Sequence, residues 1–101
     1  MDTYPYNEQW KSTVDHNSEE WRSYCEAVSC LRRYFRTKIL LDKATATFKH
    51  NEYLDGLKKS RSAESIEKLR ADFLLIGQYE GERVRAEVEQ ELLAQQAEVI
   101  A

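Results

Sequence analysis

The sequence predicts an all-α protein, folded as one domain over residues 1–101 in a small bundle of three to four helices. Of the 101 residues, three are glycine and one is proline, and Glu, Lys, Arg, Leu and Ala make up much of the rest, a composition that favours helix over sheet. Apolar side chains recur at helical spacing in several stretches. The length supports one buried core but not two independent ones. An all-α single domain is therefore the expected class.

Residues 1–17 are predicted to form an aromatic amino-terminal arm. Tyr4, Tyr6 and Trp10 stand there among polar residues without a helical or strand period. Aromatic rings in such a segment usually pack onto the body of the protein. The alternative is an exposed arm that binds a partner through its rings.

Residues 18–39 are the longest amphipathic stretch and predict the central helix. Asn17 or Ser18 can accept a hydrogen bond from a first-turn amide, and Glu19 and Glu20 then lie where the helix dipole favours anions. At 100° per residue, seven side chains fall within about 60° of one line and form its apolar stripe. They are Trp21, Tyr24, Cys25, Val28, Leu31, Phe35 and Ile39.

The chain is expected to break or bend between residues 37 and 51. Thr45 and Thr47 are poor helix formers, and the apolar pattern of the central helix is lost there. A second helix then follows, with Ser60 or Ser62 as the cap of a third. The apolar side chains of the second helix are Tyr53, Leu54 and Leu57.

The third helix has an apolar seam at spacing i, i+3, i+7, i+10, which suits packing against another helix. The seam consists of Ile66, Leu69, Phe73 and Ile76. Leu74 and Leu75 make the end of this helix apolar nearly all round. That turn is therefore expected in the centre of the fold or in a subunit interface.

Gly77 and Gly81 are predicted to interrupt the helix and separate a fourth one. The alternative is one long helix with two weak points, because Val84 returns to the same line as Ile66. The fourth helix has a narrow apolar face made of Val84, Val88 and Leu92. It must lie along the bundle or pair with a copy of itself, which leaves a homodimer open. Residues 97–101 are predicted to be a frayed tail.

Charge is segregated along the chain although the net charge is −3. Residues 31–61 carry nine basic and three acidic side chains, whereas acidic side chains outnumber basic ones on both flanks. Either the segments pack against each other or the middle presents an anion-binding face. The candidate partner-binding residues are Arg32, Arg33, Arg36, Lys38, Lys58, Lys59 and Arg61, and Lys43 and Lys49 extend this basic island.

Arg32 lies inside the apolar stripe, where an aliphatic side chain would be expected. Its stem can cover neighbouring rings while the guanidinium reaches solvent or a glutamate of the last helix. In the alternative, it joins Arg33 and Arg36 in binding carboxylates or phosphates of a partner.

Motifs of catalysis, metal binding or cofactor binding are missing from the sequence. Cys25 and Cys30 lie about 140° apart on a helix, so Cys25 is expected in the core and Cys30 on the exposed side. His16 and His50 stand alone in polar stretches and are expected at the surface. We therefore expect no enzymatic activity, no metal and no cofactor.

The longest apolar run is too short to span a membrane, and no secretory leader is visible. A cytoplasmic location without membrane partners is therefore expected.

Three short motifs in residues 20–74 resemble a group of short uncharacterised proteins from bacteriophages and prophages. The motifs are Trp21-Arg22-x-x-Cys25-Glu26-Ala27, Tyr53-Leu54-x-Gly56-Leu57-x-Lys59-x-Arg61 and Leu69-Arg70-Ala71-Asp72. This chain departs from the group by a longer link between the first two motifs, the aromatic arm and an extra acidic helix.

The resemblance implies a non-enzymatic protein that binds a host or phage protein in the host cytoplasm. It would modulate or inhibit a host macromolecular complex, for example a defence nuclease. The alternative from the residues themselves is a small nucleic-acid-binding or regulatory protein that uses the basic island between residues 32 and 61.

Overall fold

The computed structural model describes residues 4–100 and has the predicted all-α architecture. Its helices are α1 (Glu8–Thr13), α2 (Glu19–Leu40), α3 (Lys43–Leu57) and α4 (Ala63–Ile100). None of the described helices is long and apolar enough to cross a membrane. The all-α bundle is thus confirmed.

The predicted start of α2 and the predicted start of the helix after the polar turn are both confirmed by their caps. The Ser18 hydroxyl accepts a hydrogen bond from the Trp21 amide at 3.2 Å. At the start of α4, the Ser62 hydroxyl accepts one from the Ser65 amide, also at 3.2 Å. Each cap satisfies an amide that the helix itself leaves without an acceptor.

The predicted break in residues 37–51 is a short link between α2 and α3. Helix α2 ends at Leu40, and Asp42 caps α3 by accepting a hydrogen bond from the Thr45 amide at 2.6 Å. Thr45 therefore lies in a first helical turn, where its low helix propensity costs little because the cap is strong.

Helix α2 is the centre of the molecule because both α4 and α3 pack against it. Its buried residues Tyr24, Ala27, Cys30 and Leu31 meet Leu54 of α3 and the buried stripe of α4. The α4 stripe comprises Ile66, Leu69, Ile76 and Val84.

The expectation that Cys30 is exposed is wrong, since it is only 3% exposed. Cys25, placed in the core by the stripe, is half-buried and packs against the edge of the core. The reason is that α2 has two packing faces, and α3 covers the face that a single apolar stripe assigns to solvent.

Of the two alternatives at Gly77 and Gly81, the break is wrong and the continuous helix is found, because α4 runs through both residues without interruption. A Cβ at Gly77 would lie 3.5 Å from Leu31 Cδ1, and one at Gly81 would lie 3.8 Å from Phe35 Cζ. Packing of α4 on α2 at these points compensates for the low helix propensity of glycine.

The amino-terminal arm lies on the body of the protein, as predicted, and contains a short helix that was not predicted. Tyr4, Tyr6 and Trp10 pack against the core. The ring centroids of Tyr6 and Trp10 are 4.9 Å apart, and those of Trp10 and Tyr24 are 5.4 Å apart. Asn7 caps α1 through its side chain, which explains the helix start.

At the other terminus, α4 extends to Ile100. The predicted frayed tail, residues 97–101, lies partly outside the described residues and stays a prediction.

Candidate functional site

Arg32 has the intramolecular role that one of the two alternatives assigned to it. Its guanidinium pairs with Glu87 at 3.1 Å and with Glu91, both on α4. One turn later, Arg36 donates a hydrogen bond to Gln95 at 3.3 Å. Helix α4 thus engages two of the three arginines that surround the apolar stripe.

Arg61 and Lys58 also have carboxylate partners within the chain. Arg61 forms a two-pronged pair with Glu26 of α2, with Nη1 2.7 Å from Oε1. Lys58 lies 3.1 Å from Asp55, one turn earlier on α3. Lys38 is half-buried and Lys59 is exposed, and neither has an ion pair among the described residues. Three of the seven candidate residues, Arg32, Lys58 and Arg61, are therefore paired with carboxylates of the same chain.

One part of the basic island does converge, in a cleft between α2 and α3. Its polar walls include Arg33 and Arg36 from α2 and Lys49 and His50 from α3, and its volume is about 300 Å³. The guanidinium of Arg33 lies 4.4 Å from the ring centroid of Tyr53, a cation–π contact. Aspartate and glutamate do not line this space, which we call the basic cleft.

A second cavity lies between α3 and α4, and its floor is helix α2. Phe35 forms part of the floor, while Phe73, Leu74 and Arg70 of α4 form one wall. The volume is about 420 Å³, and carboxylates are again absent from its lining. We call this space the apolar groove. Leu74 is 66% exposed at its edge, so a position in the centre of the fold is wrong for this residue, and the alternative position in a subunit interface stays a prediction.

Tyr34 and His50 line both the basic cleft and the apolar groove, which are therefore neighbours. The ring of His50 stacks on Phe73 with centroids 3.9 Å apart. Burial lowers the pKa of His50 below its usual 6.5, and the positive charges of Arg70 and Arg33 lower it further. Burial and these two charges therefore favour the neutral form of the imidazole.

His50 is therefore not the simple surface residue expected from its polar neighbourhood, because it is half-buried. His16 is exposed, as expected, and its ring stacks on Trp21 with centroids 4.2 Å apart. Within the described residues, His, Cys, Asp and Glu side chains form no group of three that could hold a metal ion.

A third cluster of charges, centred on Glu80, is structural. Glu80 is 8% exposed, and its carboxylate accepts hydrogen bonds from Lys11 and Arg83 at 2.7 Å each, from Tyr24 at 3.0 Å and from Tyr4. Burial would raise its pKa, but these four donors outweigh burial and lower the pKa to about 2. Lys11 and Tyr4 belong to the arm, Tyr24 belongs to α2, and Glu80 itself lies on α4. The cluster therefore holds the arm onto α2 and α4.

Sequence reasoning named Arg33, Arg36 and Lys49 as part of the basic island but did not bring them together with Tyr53 and His50. The signal that could have located the groove is the turn from Phe73 to Ile76, which is apolar nearly all round. Only part of that turn fits into the core, because α2 covers one side of α4.

The fold and the cavities define a class: a small helical protein with an uncovered apolar groove beside a basic cleft. Comparison with protein-family models, curated proteins and solved structures found no match. Function is therefore argued from the geometry of this chain.

Proposed function

We propose that this chain is a non-enzymatic protein that binds another protein through the apolar groove between α3 and α4. The observation that carries the proposal is the exposed side chain of Leu74, which lies at the edge of a cavity of about 420 Å³ that is also lined by the half-buried Phe73. Uncovered apolar surface next to polar residues is typical of protein interaction sites.

The resemblance to short phage and prophage proteins suggests the kind of partner. On that basis we propose a host or phage protein in the host cytoplasm. Modulation or inhibition of a host complex, such as a defence nuclease, is the biological role that we propose for this binding. Enzymatic activity is not part of the proposal, and neither is a metal or a cofactor.

Binding of nucleic acid is the second candidate, and the basic cleft is the observation that favours it. Arg33, Arg36 and Lys49 line that cleft without a carboxylate. The rest of the basic island supports it less, because Arg32 and Arg61 are paired with glutamates of the same chain. Several phosphate contacts would make the affinity fall steeply with salt, which a gel shift at two salt concentrations measures.

An affinity pull-down from host lysate, with and without nuclease, tests the first proposal when it is done with matched variants. Leu74 and Leu93 both lie on α4 and are 66% and 65% exposed, respectively. We expect Leu74→Asp to lose the captured protein and Leu93→Asp to retain it, because Leu93 lies away from the apolar groove. Loss of the protein with both variants, or with neither, would contradict the assignment to the groove.

A homodimer stays open as a further partner. Ile39, Leu40 and Leu93 lie around an open space between the ends of α2 and α4. Val84 and Val88, which the sequence offered for self-pairing, are buried in the monomer. Sedimentation of the wild type, Leu74→Asp and Leu93→Asp would show whether either surface joins two copies. A monomer at high micromolar concentration would exclude self-association.

A further inference from the structure

We infer that the segment received by the apolar groove is an acidic amphipathic helix of the partner protein. Its apolar face would contact Phe35, Phe73 and Leu74, and its carboxylates would pair with Arg33 and Lys49 in the basic cleft. The inference rests on the proposed function, since it specifies the chemistry of the bound segment.

The first support is the arrangement of the two cavities. They share Tyr34 and His50, so that an apolar floor continues into a wall of cations. A ligand that fills both spaces must therefore have apolar groups on one side and, beside them, groups that can pair with the cations of the basic cleft. An amphipathic segment with acidic flanks has this distribution.

The second support is charge complementarity. Arg33 contacts the ring of Tyr53 and the Cys30 thiol, 3.7 Å from its Nη2 atom, rather than a carboxylate. Lys49 is exposed and has no ion pair among the described residues. Arg70 at the groove meets Glu67 only at 3.7 Å and at the surface. These cations can pair with carboxylates of a partner at little cost, since no intramolecular carboxylate has to be displaced from Arg33 or Lys49.

The third support concerns the backbone of the ligand. An extended peptide needs main-chain donors and acceptors on the protein, usually at the edge of a sheet. The described residues contain helices and no strand, and a helix interior uses its main-chain groups within itself. A helical ligand satisfies its own backbone and can bind through side chains alone.

Nucleic acid fits the same surface less well. A phosphate backbone would use Arg33 and Lys49 but would leave the aliphatic edge at Leu74 uncovered. Arg32 and Arg61, which could extend a phosphate track, are bound to Glu87 and Glu26. The observations therefore favour an acidic helix.

The electrostatics at His50 provide a spectroscopic signature. Arg33 from α2 and Arg70 from α4 face the imidazole and lower its pKa, after burial as the largest cause. Lys49 is its neighbour on α3 and lines the same cleft. A carboxylate brought into the cleft would oppose these charges and raise the pKa of His50.

The test is a selection from a library of random peptides of about 15 residues, long enough for four helical turns. The library is selected on the wild type, on Lys49→Glu and on the matched control Lys43→Glu. Lys43 is exposed on the same helix but does not line the basic cleft. The wild type and Lys43→Glu should enrich peptides with apolar residues at i, i+3 or i+4, and i+7, next to Asp or Glu. Lys49→Glu should bind the enriched peptides about tenfold more weakly.

NMR titration gives the second measurement. Binding of an enriched acidic peptide should raise the pKa of His50, and the same peptide with Gln in place of Glu and Asp should not. Equal acid content in all three selected pools, no helical spacing, or an unchanged His50 pKa would each overturn the inference. Binding of a short duplex oligonucleotide that Lys49→Glu weakens, without any peptide enrichment, would overturn it in favour of nucleic acid.

The outcomes separate this inference from the proposed function. If Leu74→Asp loses the cellular partner but the selected peptides carry no acidic residues, protein binding at the groove stands and the acidic helix is wrong. If Leu74→Asp and Leu93→Asp retain the partner equally, the proposed function itself fails.

Discussion

The two sides of the molecule use the same kinds of side chains to different ends. On the side of the amino-terminal arm, Trp10 covers the ring of Tyr24, and the carboxylate of Glu80 receives four donors. On the side of α3 and α4, Leu74 is uncovered and the cations of the basic cleft face no carboxylate. The charges of the arm side are paired within the protein, whereas the groove side has exposed apolar surface at Leu74 and a cleft whose cations have no carboxylate in its lining. The difference indicates that a basic residue points to a binding site only where the structure shows that no carboxylate of the same chain pairs with it.

The largest effect is expected from a substitution that disrupts the charge cluster on the side of the arm. Glu80→Ala removes the acceptor shared by Lys11, Arg83 and two tyrosines, and leaves a partly buried lysine without its carboxylate. We expect a loss of about 3–5 kcal/mol in the free energy of unfolding, measured by urea denaturation. Glu87→Ala is the control, because that glutamate is exposed and should cost less than about 1 kcal/mol. Equal losses in the two variants would contradict a structural role for the cluster.

The pH dependence of stability sharpens the same contrast. The pKa of Glu80 is lowered from 4.5 to about 2 in the folded protein, so its ionised form stabilises the fold above pH 4.5. That contribution, up to about 3 kcal/mol, is lost as the pH falls from 4.5 towards 2. Unfolding curves across this range should show the decline in the wild type, and Glu80→Gln should reduce its slope. An unchanged slope in Glu80→Gln would assign the acid sensitivity to other carboxylates.

Gly77 and Gly81 test how closely α4 packs on α2 next to the groove side. Each Cβ would make ordinary contacts, at 3.5 Å to Leu31 and at 3.8 Å to Phe35. Because alanine is the better helix former, we expect each substitution to stabilise the protein by roughly 0.5–1 kcal/mol. A rise in the melting temperature would check this. Destabilisation would mean that α2 and α4 must approach more closely than this structure has them.

The smallest expected effect concerns Arg32, which belongs to the fold although it lies beside the basic cleft. Arg32→Met replaces exposed ion pairs by a side chain that keeps apolar cover, so stability should change by less than about 1 kcal/mol. Partner capture should also be unchanged, in contrast to Lys49→Glu. Thermal melts and the matched pull-down measure the two properties. Loss of capture in Arg32→Met with the fold intact would extend the binding surface from the basic cleft to Arg32.

Local signals allowed the sequence to predict much of the fold. The caps at Ser18 and Ser62, and the link between α2 and α3, depend on neighbouring residues that are visible in the chain. The failures at Cys30 and at Gly77 depend on which helix lies opposite. A single apolar stripe does not reveal that α2 has two partners, and helix propensity does not include the packing that offsets a glycine.

The site was harder to predict because it depends on pairing across the fold. Arg32 and Arg33 are adjacent and chemically identical in the sequence. Only the position of α4 decides that Arg32 meets glutamates, and only the position of α3 places Arg33 against Tyr53. The tertiary structure decides which group a long flexible side chain contacts. Composition therefore locates a basic segment, but it does not tell which of its residues are paired within the chain.

The contacts of the arm also determine when it can join the folded protein. Tyr4 and Glu80 are separated by 76 residues in the chain, and Tyr24 and Glu80 by 56. The surface that receives the arm is made of α2 and α4 together, so it does not exist before those helices have paired. Closing such a long loop has an entropic cost that is repaid only when the surface is formed. We therefore expect the arm to bind last during folding and to leave first during unfolding, so that amide exchange in α1 is faster than in the middle of α2.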